Sequence, residues 1–371
     1  MKIAFDARMV HGNFSGVGHY SLNLLLALTQ IDRQNEYMVI TRSGFNYRLP
    51  QNFRTFEYDI YPLSVRTLYF LNKKLTDFKP DIFHSTFFTS PLNLGCNTLV
   101  TAHDVALLSP NYFHGRNWAV QFYARQFVKF SLNRSFRRSS RIISVSQNVK
   151  DDIVKLKLSP ESRVRVIHPS INLPLRNTEL RDLHPAIESS EKPVILTVGN
   201  TRPPKNWWGL VKSFKLYVDQ TGKGTLILVS SDDRNLDSIA SLIRELSLES
   251  GRVKMLGYRS QEELVRLYRS ADLFVFPSLY EGFGLPPLEA MACGLPVVAS
   301  NRGAIPEVLG QAALYVNPED EGNIARGMQE ALENIELRRS LINEGHKQVE
   351  KYSWEASARQ ILELYDELSR G

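Results

Sequence analysis

Apolar residues along this chain fall into short unbroken runs, separated by longer stretches in which they recur every three or four positions. The runs are KIAFD (2–6), YMVIT (37–41), DIFHS (81–85), TLVTAH (98–103), RIISVS (141–146) and RVRVIH (163–168). A second series holds VILTVG (194–199), TLILVS (225–230), RVKML (252–256), DLFVFP (272–277), PVVAS (296–300) and ALYVN (313–317). These runs are β-branched and mostly continuous, the pattern of strands buried on both faces of a parallel sheet. Segments between them, such as 205–220, 233–248 and 261–270, have the spacing of amphipathic crossover helices. Strand and helix in alternation predict doubly wound α/β domains.

The pattern lapses once, in HPSINLPLRNTELRDLHPAIESSEKP (168–193), which is rich in Pro, Ser and Asn and reads as a linker. The two series therefore predict two Rossmann-like domains, 1–172 and 173–352. After the last strand come helical segments at 319–335 and 336–351. Ser353-Trp354-Glu355-Ala356 then opens a final helix, with Ser353 in the N-cap position.

Composition narrows the class. The 371 residues are 43% hydrophobic and 23% charged, enough for two packed cores. Cys96 and Cys293 form no CxxC pair, which argues against a disulfide framework or a cysteine zinc site and fits a reducing cytoplasm. MKIAFDAR reads as a first strand and not as a signal peptide, and no apolar run approaches the length of a membrane span. Charge is uneven. Residues 1–172 carry 22 Lys and Arg against 11 Asp and Glu, net +11, and the remainder carries 23 against 28, net −5. A basic half beside an acidic half predicts different partners for each.

Several stretches carry candidate chemistry. In NFSGVGHYSLNLLLAL (13–28), Gly16 and Gly18 follow the first strand and open a helix, whose free amides suit an anion. A ligand-free glycine turn fits equally, because a GxGxxG fingerprint would need glycine at Ser21. His103, at the end of TLVTAH, can donate to a sugar hydroxyl, shuttle a proton, or simply be a buried histidine. In GNTRPPKN, Arg202 and Lys205 stand at a strand-to-helix turn, as a diphosphate clamp or a solvated basic loop. The stretch 116–141 interleaves Phe122, Phe127, Phe130 and Phe136 with Arg125, Lys129, Arg134, Arg137, Arg138 and Arg141. It reads as a surface for anionic lipid or as a core helix with a wet face; no RNA-binding signature accompanies it, so no nucleic-acid partner is expected. Asp232 and Asp233 in SSDDRN read as an N-cap. No HxH, HExxH or Asp-x-Asp pattern occurs, so no metal or cofactor is expected.

The most informative stretch is YEGFGLPPLEAMACG (280–294). Gly282 and Gly284 place Glu281 on a loop, and Pro286 and Pro287 suit the first turn of a helix that carries Glu289. The two glutamates need not share a proton. Amides at Gly284 and Leu285 can hold a diphosphate, while each carboxylate can accept from the hydroxyls of a different sugar. Simple helix-dipole stabilisation also accounts for Glu289.

EGFGLPPLE resembles the E-x7-E element of retaining glycosyltransferases of the GT-B fold, in particular glycosyltransferase family 4. The resemblance extends in order through FDAR…SGVGHYSLNLL, TAHDV, VSQNVKDDI, GNTRPPKN, LGYRSQEELVRLYRSADLFVFPSLYEGFG and AMACGLPVVASNRGAIPEVLGQAALYVNPED. It implies a GT-B fold, two Rossmann-like doubly wound α/β domains facing across a cleft, with the helix 353–371 packing back on the first. It implies a nucleotide-sugar donor bound mainly by the second domain. Glu289 would contact the ribose and Glu281 the transferred hexose. Amides at Gly282, Phe283, Gly284 and Leu285 would meet sugar and phosphate. Lys205 would bind the diphosphate and Gly257 and Tyr258 would receive the base. Gly16 and Gly18 would reach the phosphates and His103 the transferred sugar, so that His103, Glu281 and Lys205 are the expected catalytic residues. Relatives often carry an arginine soon after the strand-end glycine; here Asn200 follows Gly199 and the arginine is Arg202.

The implied reaction is metal-independent transfer with retention. SGVGHY and PPKN are similar to bacterial mannosyltransferases of surface polysaccharide (lipopolysaccharide) assembly, which implies GDP-mannose, with UDP-glucose or a rhamnose-type deoxysugar as alternatives. The acceptor would be a saccharide or polyprenyl-linked saccharide. The protein would be cytoplasmic, or peripheral on the inner face of the plasma membrane. A Rossmann oxidoreductase is disfavoured by Ser21, and a non-catalytic nucleotide-sugar-binding subunit by the intact Glu281, Glu289, Lys205 and His103.

Overall fold

The computed structural model describes residues 1–12, 16–108, 118–171, 191–230, 234–248 and 251–370. These form two compact units, one of 1–170 with 353–371 and one of 171–352.

The first unit is built from β1 (Lys2–Asp6), α1 (Gly16–Ile31), β2 (Glu36–Thr41), β3 (Phe53–Glu57), α2 (Val65–Lys74), β4 (Ile82–Ser85), β5 (Asn97–Ala102), α3 (Trp118–Arg138), β6 (Arg141–Ser144), α4 (Gln147–Lys155) and β7 (Val164–Val166). Its sheet runs β3-β2-β1-β4-β5-β6-β7, all parallel. β1 and β4 are fully buried over nearly every residue, as their unbroken apolar runs predict. β3 is absent from the apolar-run pattern for a physical reason. It is an edge strand, FRTFE, in which only Phe53 is buried, stacked on Tyr37 with centroids 4.0 Å apart.

The second unit holds β8 (Val194–Val198), α5 (Trp207–Thr221), β9 (Thr225–Val229), α6 (Leu236–Glu245), β10 (Val253–Leu256), α7 (Gln261–Ser270), β11 (Leu273–Phe276), α8 (Leu285–Ala292), β12 (Val297–Ser300), α9 (Ile305–Leu309), β13 (Leu314–Val316), α10 (Glu321–Glu333) and α11 (Ile335–Glu350). Its sheet, β10-β9-β8-β11-β12-β13, is also wholly parallel. Trp207, Leu210, Phe214, Ile195, Leu228, Val275 and Met328 share one core between α5, α10 and the sheet.

The chain then returns to the first unit as α12 (Trp354–Arg370), which buries Ala358, Ile361, Leu364, Tyr365 and Leu368 at helical spacing. Polar contacts fix it there. His84 Nδ1 lies 2.6 Å from Tyr365 Oη, Ser357 donates to the His168 carbonyl at 2.6 Å, and Asn97 to the Leu368 carbonyl at 2.7 Å.

Three sequence expectations change. The basic helix ends at Arg138, and Arg141 belongs to β6. Phe136 does not join its aromatic face; it is fully buried with Leu132 and Val128. The cap position of α6 is Asn235, and Asp232 and Asp233 lie outside the described residues. Most of the linker (172–190) and residues 116–117 of the basic stretch also lie outside them.

Candidate active site

In the second unit the strand order reverses between β8 and β11, which pair although the chain between them visits β9 and β10. Loops at the carboxyl ends of such a pair form a ligand crevice. Here they are 199–206 and 277–284, and they are bonded to each other. Leu279 N–H donates to the Pro204 carbonyl at 2.7 Å. Asn206, in a left-handed conformation (φ 56°), sends its amide to the carbonyls of Pro277 (3.1 Å) and Pro318 (2.6 Å). Gly209 makes room for that side chain, since a Cβ there would lie 2.5 Å from Asn206 Oδ1.

This brace presents Lys205, the last residue of a single 3₁₀ turn (Pro203–Lys205), to Glu281. Lys205 Nζ is 2.6 Å from Glu281 Oε1, with both side chains more than four-fifths buried (19% and 11% exposed). The ammonium also sits 5.3 Å from the centroid of the Phe276 ring. Glu281 is held from behind by its backbone: Ala304 N–H donates to its carbonyl at 3.2 Å. Gly303 (φ +62°) is required at that approach, because a Cβ there would fall 3.0 Å from the Glu281 carbonyl oxygen.

The second glutamate has a different partner. Glu289, on α8, accepts a hydrogen bond on Oε2 from Tyr268 Oη at 2.9 Å. Burial raises its pKa above the usual carboxylate range, and the Tyr268 bond opposes that rise. Glu281 and Glu289 are therefore not a proton-sharing dyad; one is paired with a cation and the other with a phenol. Between them, Gly284 (φ 101°) precedes α8, and no side chain caps the helix start. A helix start leaves four amides without intrahelical partners. Pro286 and Pro287 have no donor to offer, which leaves the amides of Gly284 and Leu285 for an anion. Gly284 is also tightly seated, since a Cβ would come 2.6 Å from Ile305 Cδ1. The Phe283 ring is buried edge-on against Tyr352, 5.4 Å between centroids. Gly257 and Tyr258 follow the edge strand β10, and the Tyr258 ring is half exposed. Arg202 initiates the 3₁₀ turn, with its N–H on Asn200 Oδ1 at 3.1 Å.

The first unit reverses order between β1 and β4. Gly16 and Gly18 do not form the turn there. Both are helical residues of α1, and the left-handed glycine is Gly12 (φ 57°). Ser21 is productive where a fingerprint would want glycine: its hydroxyl donates to the Val17 carbonyl (2.9 Å) and meets Thr86 Oγ1 (2.5 Å). Thr86 in turn donates to the Asp6 carbonyl at 2.8 Å. Thr86 also decides the role of His103. Its carbonyl lies 2.9 Å from His103 Nε2, so that nitrogen carries the proton and Nδ1 is left as an acceptor. Burial pushes the His103 pKa down to about 4, opposed by the Thr86 carbonyl. The ring is neutral at pH 7. With Nε2 engaged by the Thr86 carbonyl, Nδ1 is the ring nitrogen left to accept a hydrogen bond.

Thr86, Asn206, Tyr268 and Gly303 escaped the sequence reading. Of these only Asn206, next to Lys205, lay inside a motif whose spacing pointed to a ligand. Among the described residues no group of three or more His, Cys, Asp or Glu is placed to hold a metal ion.

Residues 181–348 match the family model for glycosyl transferases group 1, and residues 14–174 that for glycosyltransferase family 4. The O-antigen chain mannosyltransferase RfbU of Salmonella typhimurium is 32% identical over 80% of this chain and 74% of its own length. The chain belongs to the family 4, group 1 glycosyltransferases of the GT-B fold. It is also 27% identical to O-antigen chain mannosyltransferase B of Escherichia coli, over 98% of this chain and 99% of the relative. Among solved structures, Anabaena HepE in complex with UDP-glucose superposes with a TM-score of 0.74 over 99% of this glycosyltransferase and 100% of that chain, at 19% identity.

Proposed function

We propose that this glycosyltransferase moves mannose from GDP-mannose, with retention at the anomeric carbon, onto a saccharide or polyprenyl-linked saccharide during surface polysaccharide synthesis. The observation that carries the reading is the Lys205–Glu281 pair beside the α8 start at the β8/β11 reversal, in a chain whose relatives are named mannosyltransferases. Lys205 and the α8 amides take the developing charge of the diphosphate, with no metal ion. Glu281 holds the hexose hydroxyls, Glu289 the ribose, and Gly257 and Tyr258 the base. His103 Nδ1 accepts from the transferred sugar. The acceptor oxygen bonds to the anomeric carbon on the face that the diphosphate leaves. The bond from that carbon to phosphate breaks, and the acceptor's proton passes to the departing phosphate oxygen. A thermal-shift panel of GDP, UDP, dTDP and ADP tests the donor. GDP is expected to raise Tm by several degrees at about 100 times its Kd, equivalent to about 2.7 kcal/mol. A shift with UDP alone would overturn the choice of GDP-mannose in favour of a UDP-hexose.

The acceptor reading rests on a surface of the first unit. Neither α2 nor α3 contains an Asp or Glu. Val65, Tyr69 and Phe70 of α2, and Phe122, Tyr123 and Phe130 of α3, are all about half exposed or more. Exposed Lys73, Lys74, Lys129, Arg137 and Arg138 lie among them. Arg134 of α3 lies within electrostatic range of Tyr69 of α2. Aromatic rings among cations, without carboxylates, suit an anionic lipid surface. No helix among the described residues is long and apolar enough to cross a membrane. Co-sedimentation with phosphatidylglycerol vesicles at low salt, and loss of it with phosphatidylcholine or at high salt, is the expected result. Indifference to vesicle charge would remove the lipid part of the reading.

A further inference from the structure

We propose that Tyr268 is the positioning residue that orients Glu289 for the donor's ribose, and so sets the preference for a ribonucleotide. The inference rests on the reading of the second unit as the donor-binding one. Tyr268 is 1% exposed and lies on α7, whose start is fixed by a capping box between Ser260 and Glu263. Its ring packs edge-on against Phe274 (centroids 5.6 Å), and Phe274 stacks on Phe276 (6.0 Å), the two rings sharing one face of β11. Phe276 is the ring under Lys205 Nζ, and Lys205 holds Glu281. A continuous aromatic column thus runs from the partner of one glutamate to the partner of the other. It fixes where each carboxylate sits.

The hydroxyl adds direction to that placement. A carboxylate offers four acceptor positions and rotates freely about its last bond unless one is occupied. The Tyr268 bond is the side-chain hydrogen bond of Glu289 among the described residues, and it engages Oε2. That fixes the carboxylate plane and leaves Oε1 for a vicinal diol. A phenol buried beside a carboxylate keeps its proton, and the Tyr268 pKa is raised well above 10 by burial and by the Glu289 charge. The donor is therefore permanent across the working pH range.

The experiment is a calorimetric titration of the full chain with GDP, UDP and the 2′,3′-dideoxy form of each. Tyr268→Phe keeps the ring and its packing and removes only the hydroxyl. Wild type is expected to prefer the ribonucleotide at least ten-fold. Tyr268→Phe is expected to weaken the ribonucleotide about ten-fold, the effect of one hydrogen bond to a charged group, and to leave the dideoxy form within about two-fold of wild type. In a Glu289→Gln background the same substitution is expected to cost nothing further. Equal weakening of ribo and dideoxy ligands would show that Tyr268 only packs and would overturn the proposal. So would unchanged affinity for both, or a full additional loss in the Glu289→Gln background. If wild type bound neither GDP nor UDP, the donor-site reading would fail first and this one with it.

Discussion

Lys205→Ala is expected to lower kcat/KM for sugar transfer by about 10²–10³-fold, the scale on which removal of one preorganised charge-stabilising donor acts. The argument begins with the ion pair. Lys205 Nζ and Glu281 Oε1 are 2.6 Å apart and largely buried, so each side chain is held by the other before any ligand arrives. Removing the lysine withdraws the cation proposed to face the departing diphosphate and leaves the Glu281 carboxylate without its partner. Lys205→Arg does not restore the geometry, because a forked guanidinium cannot sit as a point charge between Glu281 and the Phe276 face. Glu281→Ala is expected to lower kcat more than it raises the donor KM, whereas Glu289→Ala does the reverse, since the contact proposed for it is to a part of the donor that does not react. Initial rates of nucleoside diphosphate release, measured across donor concentration, separate the two. A Lys205→Ala enzyme within ten-fold of wild type, or the opposite split between the glutamates, would overturn the assignment.

Much of this arrangement was legible in the chain because its strands are covered on both faces. Runs such as VILTV and LFVF have no reason to be almost wholly apolar unless helices lie on either side, so they mark β8 and β11 directly. The prolines after EGFG likewise marked the start of α8 and put Glu281 and Glu289 on different elements. What stayed hidden depended on partners remote in sequence. β3 buries one residue and carries no run to detect. α2 buries only Thr67, Leu68 and Leu71, and its outer face is aromatic, which blurs its period. Tyr268 meets Glu289 from 21 positions upstream through the packing of α7. Gly16 and Gly18 looked like turn residues by composition, but both are helical, and the described glycine with positive φ before α1 is Gly12. The protonated nitrogen of His103 is chosen by a main-chain carbonyl, that of Thr86, which no side-chain pattern can announce.

Arg8→Ala is expected to destabilise the first unit by about 3–5 kcal/mol, the cost of leaving one member of a buried ion pair alone. FDAR contributed to the first-strand reading and the family resemblance, yet its arginine is also a central brace. Arg8 is 0% exposed and grips Asp6 with two parallel bonds, Nε to Oδ1 at 2.8 Å and the terminal nitrogen to Oδ2 at 2.6 Å. Its other terminal nitrogen donates to the Ile60 carbonyl at 3.0 Å and to Thr67 Oγ1 at 2.9 Å. One guanidinium thereby ties the end of β1 to the loop before α2 and to the first turn of that helix. Lysine has neither the planarity nor the number of donors to replace it, so Arg8→Lys is expected to recover little. Every contact of Arg8 named above lies within the first unit, so the loss is expected to be confined there. Hydrogen exchange reads this directly. Amides of β1 and α2 are expected to exchange faster in Arg8→Ala, while those of β8 and β11 keep their wild-type protection. Faster exchange spread evenly over both units would sink the claim that Arg8 acts locally. A variant as stable as wild type would mean that water replaces the guanidinium at no cost, which a carboxylate only 3% exposed does not allow. The expected functional result follows from the position of the brace. The end of β1 is also where Thr86 meets the Asp6 carbonyl and fixes His103. Arg8→Ala is therefore expected to lose transfer activity at temperatures where the second unit still binds nucleotide.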